Sequence, residues 1–217
     1  MGSVKSQPPR RYDSTRRRQQ AQQNRHAVLA AARQRFLAQG YAATSIAEIA
    51  RDAGMSVEMV YKVFTSKAGV LKALFDVSVA GDDEPIPMAQ RDVIQNVLNA
   101  PEAARKLEIY AKHLASTMPH TAAVQLLARD AAASSPEAAQ VWKQMRHETL
   151  TAMTMFAADL ADTGQLRVRV TQARDVLWTY HAPEFYELLV LERGWSATRY
   201  GKFIARALID ALLETRT

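Results

Sequence analysis

The sequence predicts an all-α protein built from a small N-terminal helical module and a larger C-terminal one, and three observations carry that prediction. Alanine, leucine, arginine and glutamine are abundant in the 217 residues, only eight are glycine, and there is no long β-branched run, a composition that favours helix. Apolar residues recur at three- and four-residue steps on both sides of Gly81-Asp82-Asp83-Glu84-Pro85-Ile86-Pro87, an acidic, proline-rich and aperiodic break that reads as a boundary. The charge is divided at the same place: residues 1–80 hold 13 Lys and Arg against 5 Asp and Glu, and the remainder holds 15 against 17. One end of the molecule is therefore suited to a polyanion and the other is not.

Residues 1–20, with Pro8-Pro9, Arg10-Arg11 and Arg16-Arg17-Arg18, lack apolar periodicity and read as a flexible basic arm. Such an arm is either a solvated tail or a contact to phosphates or a minor groove. The next part, 21–80, opens from Asn24 with a helix whose stripe is Val28, Leu29, Ala32 and Phe36, closed by Gly40. Ser45 caps a short second helix and Glu48, three residues on, completes a capping box; Ile46, Ile49 and Ala50 face inward. Ser56 caps a third helix with Val60 and Phe64 inward, and Ser66 restarts the chain as a fourth, carrying Val70, Leu71, Leu74 and Phe75.

In the part 81–217, a short helix is expected near Arg91–Leu98, another opening at Pro101, and a third from about His120 to Ala133. A long helix begins at Ser135-Pro136-Glu137 and extends to about Gly164. One capped by Thr171 runs to about Glu192 and contains Pro183, which predicts a kink near Trp178, Thr179 and His181. Ser196 caps the last, which ends near Glu214.

The second and third helices, joined through Asp52-Ala53-Gly54-Met55-Ser56, have the form of a helix-turn-helix. Its second helix would enter a major groove with Ser56, Val57, Glu58 and Met59 nearest the bases and Lys62 adding charge. The order Gly54, Met55, Ser56, then Tyr61, Phe64 and Lys67 resembles the DNA-binding segment of the TetR family of bacterial transcriptional regulators, over about residues 24–76. More loosely, DVLWTYHAPEFYELLVLERGWSATRYGKFIARALIDALL is similar to the last two helices of many members.

The resemblance implies that Tyr61 and Lys67 clamp the phosphate backbone and that Thr44 or Ser45 makes a third contact. It also implies double-stranded DNA with a pseudo-palindromic operator as the partner, a small-molecule effector between the C-terminal helices, and a homodimer through the last two helices. Glu58 and Met59 depart from the Gly-Thr frequent in the family, and Val63 from its His. Glu58 either accepts from a cytosine amine or complements its own helix dipole; Met59 could cover a thymine methyl.

Trp142, Met145, Thr149, Met153 and Phe156 share one helix face, as core or as the wall of an adaptable cavity. Trp142, Met145, Thr149 and Met153 of this face, with His113, Met118, Trp178 and His181, are the candidate ligand-binding residues, suited to an apolar or aromatic effector. Leu188, Leu189 and Leu191, and then Phe203, Ile204, Leu208, Ala211 and Leu212, form stripes broader than one core needs.

Other chemistry finds little footing. There is no cysteine, so disulfides and thiolate metal sites are excluded, and a cytoplasmic location is expected. His26, His113, His120, His147 and His181 form no metal-binding pair. No catalytic or cofactor-binding motif is present, so neither enzyme activity nor a cofactor is expected, and no apolar run reaches the roughly 18 residues of a membrane span. The whole reads as a regulator, a repressor released by its ligand. The alternatives are an effector-independent regulator with a solid C-terminal core, or a small-molecule enzyme.

Overall fold

The computed structural model describes residues 13–81 and 90–214. Its first helix, α1 (Asp13–Ala43), passes through Gly40, where φ 82° and ψ 166° end the regular helix as glycine after a C-terminus does. At its other end α1 reaches back well before Asn24, so residues 13–20 are helical rather than part of an arm; residues 1–12 lie outside the described residues. Glutamine, arginine and alanine are good helix formers, and extending a helix already nucleated by packing needs no apolar stripe.

The helices α2 (Ile46–Asp52), α3 (Val57–Phe64) and α4 (Lys67–Ala80) follow, each started by the serine expected. Ser45 Oγ accepts from Glu48 N at 3.2 Å while the Glu48 carboxylate accepts from Ser45 N at 2.9 Å, a cap that stabilises a helix end by about 1 kcal/mol. Arg35 of α1 bonds Glu48 at 3.1 Å and Asp52 at 3.1 Å and so fastens α2 to α1. Hydrogen bonds from Ser45 hold the Glu48 carboxyl, and those from Arg35 the Asp52 carboxyl, below the ordinary pKa.

Beyond lie α5 (Asp92–Asn99), α6 (Ala103–Ala132), α7 (Pro136–Ala161) and α8 (Val170–Tyr180). The two helices expected between Pro101 and Ala133 are one. α6 continues through Pro119, whose side chain is exposed, while Met118 and Ala122 on either side are packed in the core; burial along both halves outweighs one missing backbone bond. The single kinked helix expected from Thr171 to Glu192 is instead three segments. α8 stops at Tyr180, Pro183 opens α9 (Pro183–Tyr186), and a π-helix (Glu187–Glu192) completes the run. Proline is better placed at a helix start, where its missing donor is not needed. α10 (Ala197–Leu212) closes the fold. It crosses α6 closely: a Cβ at Gly201 would lie 2.9 Å from that of Ala115.

Two cores organise these helices. The first gathers the N-terminal helices, through Phe36, Ile49, Val60, Leu71 and Phe75, together with Val124 and Ala128 of α6 and Val141 and Met145 of α7. The second joins the other halves of α6 and α7 to α8 and α10, through Leu107, Met118, Leu160, Leu177 and Ile204. The interior of the N-terminal module is thus continuous with the C-terminal helices across the expected boundary. Lys72 of α4 adds an ion pair to Glu148 of α7 at 3.2 Å.

Candidate nucleic-acid interface and ligand cavity

α3 is amphipathic because Val60 and Phe64, one turn apart, are buried in the first core. That orientation leaves Glu58, Met59, Tyr61, Lys62 and Val63 exposed on the other face. The face holds an acid, a base, a thioether and a phenol, the side-chain types that read base edges and touch phosphates. Val57, by contrast, packs partly into the core, and Ser56 Oγ is engaged as the cap of α3, accepting from Met59 N at 3.2 Å.

The residues expected to grip the backbone divide. Tyr61 is 49% exposed and free to reach outward. Thr44 is 1% exposed, and its hydroxyl donates to Gly40 O at 2.8 Å, so it is a structural residue of the α1–α2 turn. Ser45 is exposed, though its hydroxyl is used in the capping box. Lys67 differs most from expectation: its Nζ donates to Tyr41 O and Thr44 O, both at 2.9 Å, and lies 4.3 Å from the Tyr41 ring centroid. Burial lowers its pKa. With two carbonyls engaged, one ammonium N–H is left for a phosphate.

Where the two cores meet, a cavity of about 350 Å³ opens between α6, α7 and the α8–α9 corner, a size within the range of small-molecule sites. Trp142, Met145 and Thr149 of α7 line one side, Trp178 and His181 the other, all five expected from the sequence. The break before Pro183 makes the second wall, since it turns Thr179, Ala182, Pro183, Glu184 and Phe185 toward the space. The hydroxyl of Thr149 donates to Met145 O at 3.0 Å.

The remaining candidates lie behind this wall. Met118 is 1% exposed and Met153 6% exposed, both within the second core. His113 does not line the cavity, and burial lowers its pKa. Tyr110 lies at hydrogen-bond distance from His181 Nδ1, 2.9 Å, and donates to Met153 Sδ at 3.5 Å. Desolvation, with a smaller contribution from His113, lowers the His181 pKa to about 4, so the imidazole is neutral near pH 7.

Gln125 and Arg146 also line the cavity, and neither was expected. Gln125 is 6% exposed. The Arg146 guanidinium lies over both indoles, 4.7 Å from the Trp178 ring and 5.7 Å from the Trp142 ring, a cation–π arrangement.

The broad apolar stripes of the last helices are partly accounted for within the chain: Ile204, Leu208 and Leu212 are fully buried in the second core. Leu188, Leu191 and Phe203 stay exposed, at 52%, 58% and 38%. Trp195 packs edge-on against Phe203 at 5.7 Å. No helix among the described residues is long and apolar enough to cross a membrane.

Residues 28–74 match the model of the bacterial regulatory proteins of the tetR family. No curated protein matches the chain in sequence. Among solved structures, the transcriptional regulator FadR from Bacillus subtilis, in complex with stearoyl-CoA, is similar with a TM-score of 0.68 at 18% identity, covering 86% of this chain and 98% of that one. The fatty acid degradation regulator FadR from Bacillus halodurans is similar at 0.67 and 19% identity, covering 86% and 94%. NalD from Pseudomonas aeruginosa, the secondary repressor of the MexAB-OprM multidrug efflux pump, matches at 0.67 and 17% identity over 90% and 100%.

Proposed function

Taking as premise a chain whose helix-turn-helix segment and all-helical fold are those of the TetR family of bacterial transcriptional regulators, we propose that it is a cytoplasmic, homodimeric repressor that leaves its operator when a small ligand with an aromatic or apolar body fills the cavity beside Trp142 and Trp178. The observation that carries the reading is shared packing. Met145 lines the cavity and belongs to the same core as Ile49, Val60 and Leu71, and Trp142 packs against that core. A ligand that moves α7 therefore acts on the helices that hold α3, without an intervening linker.

Two such chains, joined through the exposed Leu188, Leu191 and Phe203, would present two α3 helices to successive major grooves of a pseudo-palindrome, roughly 34–36 Å apart. Ligand acts only through unequal affinity for the DNA-competent and incompetent spacings; a coupling of about 1–3 kcal/mol changes operator affinity some 5- to 150-fold. The FadR complex with stearoyl-CoA supports the reading, as a protein of this fold that binds a small molecule. The cavity itself favours a ligand-responsive regulator over one with a solid core.

Filling the cavity from within tests this before any ligand is known. Thr149→Phe places a ring in the space, and its affinity for DNA selected by the unaltered chain is expected to fall at least fivefold with the fold intact by circular dichroism. Unchanged affinity in a folded Thr149→Phe protein would disconnect the cavity from DNA binding.

A further inference from the structure

Resting on the cavity reading above, the geometry points to a more specific ligand: we infer that the cavity takes an aromatic monocarboxylate carrying a second hydrogen-bonding group, with Arg146 pairing the carboxylate and the Gln125 amide meeting the second group.

Gln125 is the first support. Its side chain is more than nine-tenths buried and lines the cavity, yet among the described residues its amide has no hydrogen-bond partner. The amide is not sealed in the core but meets the cavity, so a group placed in that space can supply the bond the protein does not. The group is both donor and acceptor, so a hydroxyl or carbonyl on the ligand satisfies it.

Arg146 is the second support, and it sets the sign of charge. Its guanidinium is held by the faces of Trp142 and Trp178, and among the described residues no carboxylate pairs with it. The acid in the cavity wall, Glu184, is already engaged by Arg129 at 3.1 Å. Arg146 is exposed at the cavity, and its planar guanidinium carries the fork of donors that binds a carboxylate by two parallel bonds. The indoles and Phe185 supply the walls for a flat apolar body. His181, neutral at its pKa of about 4, adds no competing cation near pH 7.

Calorimetric titration of the full chain with 6-hydroxy-2-naphthoate, the matching carboxamide and the matching trimethylammonium compound tests the inference. The carboxylate is expected to bind at least about tenfold more tightly than either counterpart, as a charge-assisted pair gives. In Arg146→Gln that preference disappears while carboxamide binding is unchanged, and Gln125→Leu weakens the carboxylate several-fold. The inference is overturned if the carboxamide or the ammonium compound binds as tightly as the acid, if Arg146→Gln leaves carboxylate affinity intact, or if none of the three binds. The broader reading fails separately. If the carboxylate binds as described but leaves operator affinity unchanged, the ligand class stands and release from DNA does not; if the ammonium compound binds best and releases DNA, the reverse holds.

Discussion

The ammonium of Lys67 donates to the carbonyls of both Tyr41 and Thr44 at 2.9 Å, tying the start of α4 to the end of α1. This makes Lys67 a clip for the helix-turn-helix rather than a cation waiting at the surface. Its removal leaves two inward carbonyls without that donor, so Lys67→Ala is expected to lower unfolding free energy by about 1–3 kcal/mol. The affinity for DNA should fall with it, while the slope of log affinity against log salt changes by less than for a phosphate contact. Lys62, exposed on α3, is the contrast: Lys62→Ala is expected to leave stability within about 0.5 kcal/mol and to reduce the salt slope by about 0.9 if it neutralises one phosphate. Urea titration and salt-dependent binding separate the two.

Glu58 and Tyr61 lie on the same exposed face of α3 and should behave differently. Tyr61→Phe, which removes only a hydroxyl, is expected to weaken binding to every duplex by a similar factor. Glu58→Ala is expected to relax the preference at one position of each half-site, because a carboxylate in the groove reads a base and repels phosphate. Selection profiles of the two variants that coincide would refute direct readout by Glu58.

Thr65 ends α3 at φ 66°, a backbone conformation that β-branched residues avoid. Thr65→Gly is expected to raise stability by about 1 kcal/mol, the strain relieved less the entropy glycine loses. Chemical denaturation measures it, and a loss of stability would mean that the threonine side chain holds the α3–α4 turn.

The partly buried histidine of the cavity sets a pH window. His181 has a folded pKa of about 4, below the unfolded value of about 6.5, so below pH 6.5 the unfolded chain binds the extra proton and stability falls. The loss is expected to build from about pH 6.5 down to about pH 4, with His113, whose pKa desolvation lowers, acting in the same direction. The carboxylates of Glu48, Asp52 and Glu137, whose pKa values are lowered by hydrogen bonds, contribute losses only at more acid pH. His181→Gln should therefore flatten the melting temperature between pH 6.5 and 5, and an unaltered slope there would exclude His181 as its source.

The N-terminal module was legible because its signals are local. The serines at 45, 56 and 66 and the spacing of Val60 and Phe64 determine where helices start and which face turns in. What the same residues do with their polar atoms was less so. The bond from Lys67 to carbonyls 23 and 26 positions earlier, and the burial of Thr44, depend on how α1 and α4 cross. Along the C-terminal part, Pro119 and Pro183 carry the same local rule with opposite outcomes: one sits inside a helix held at both ends by core contacts, the other begins a new one. The α7 stripe marked half the cavity wall. Gln125 and Arg146 did leave traces, a lone amide in an alanine-rich apolar run and an arginine four residues after Trp142, yet only the approach of α8 and its Trp178 gives them a common space.

The most direct test of the account is selection of bound sites from random duplex DNA by the purified chain at near-physiological salt. Enrichment of a pseudo-palindrome whose half-sites are centred one helical turn apart is expected, as two α3 helices on a two-fold axis require. Recovery of no preferred sequence, by protein shown to be folded and dimeric, would contradict it.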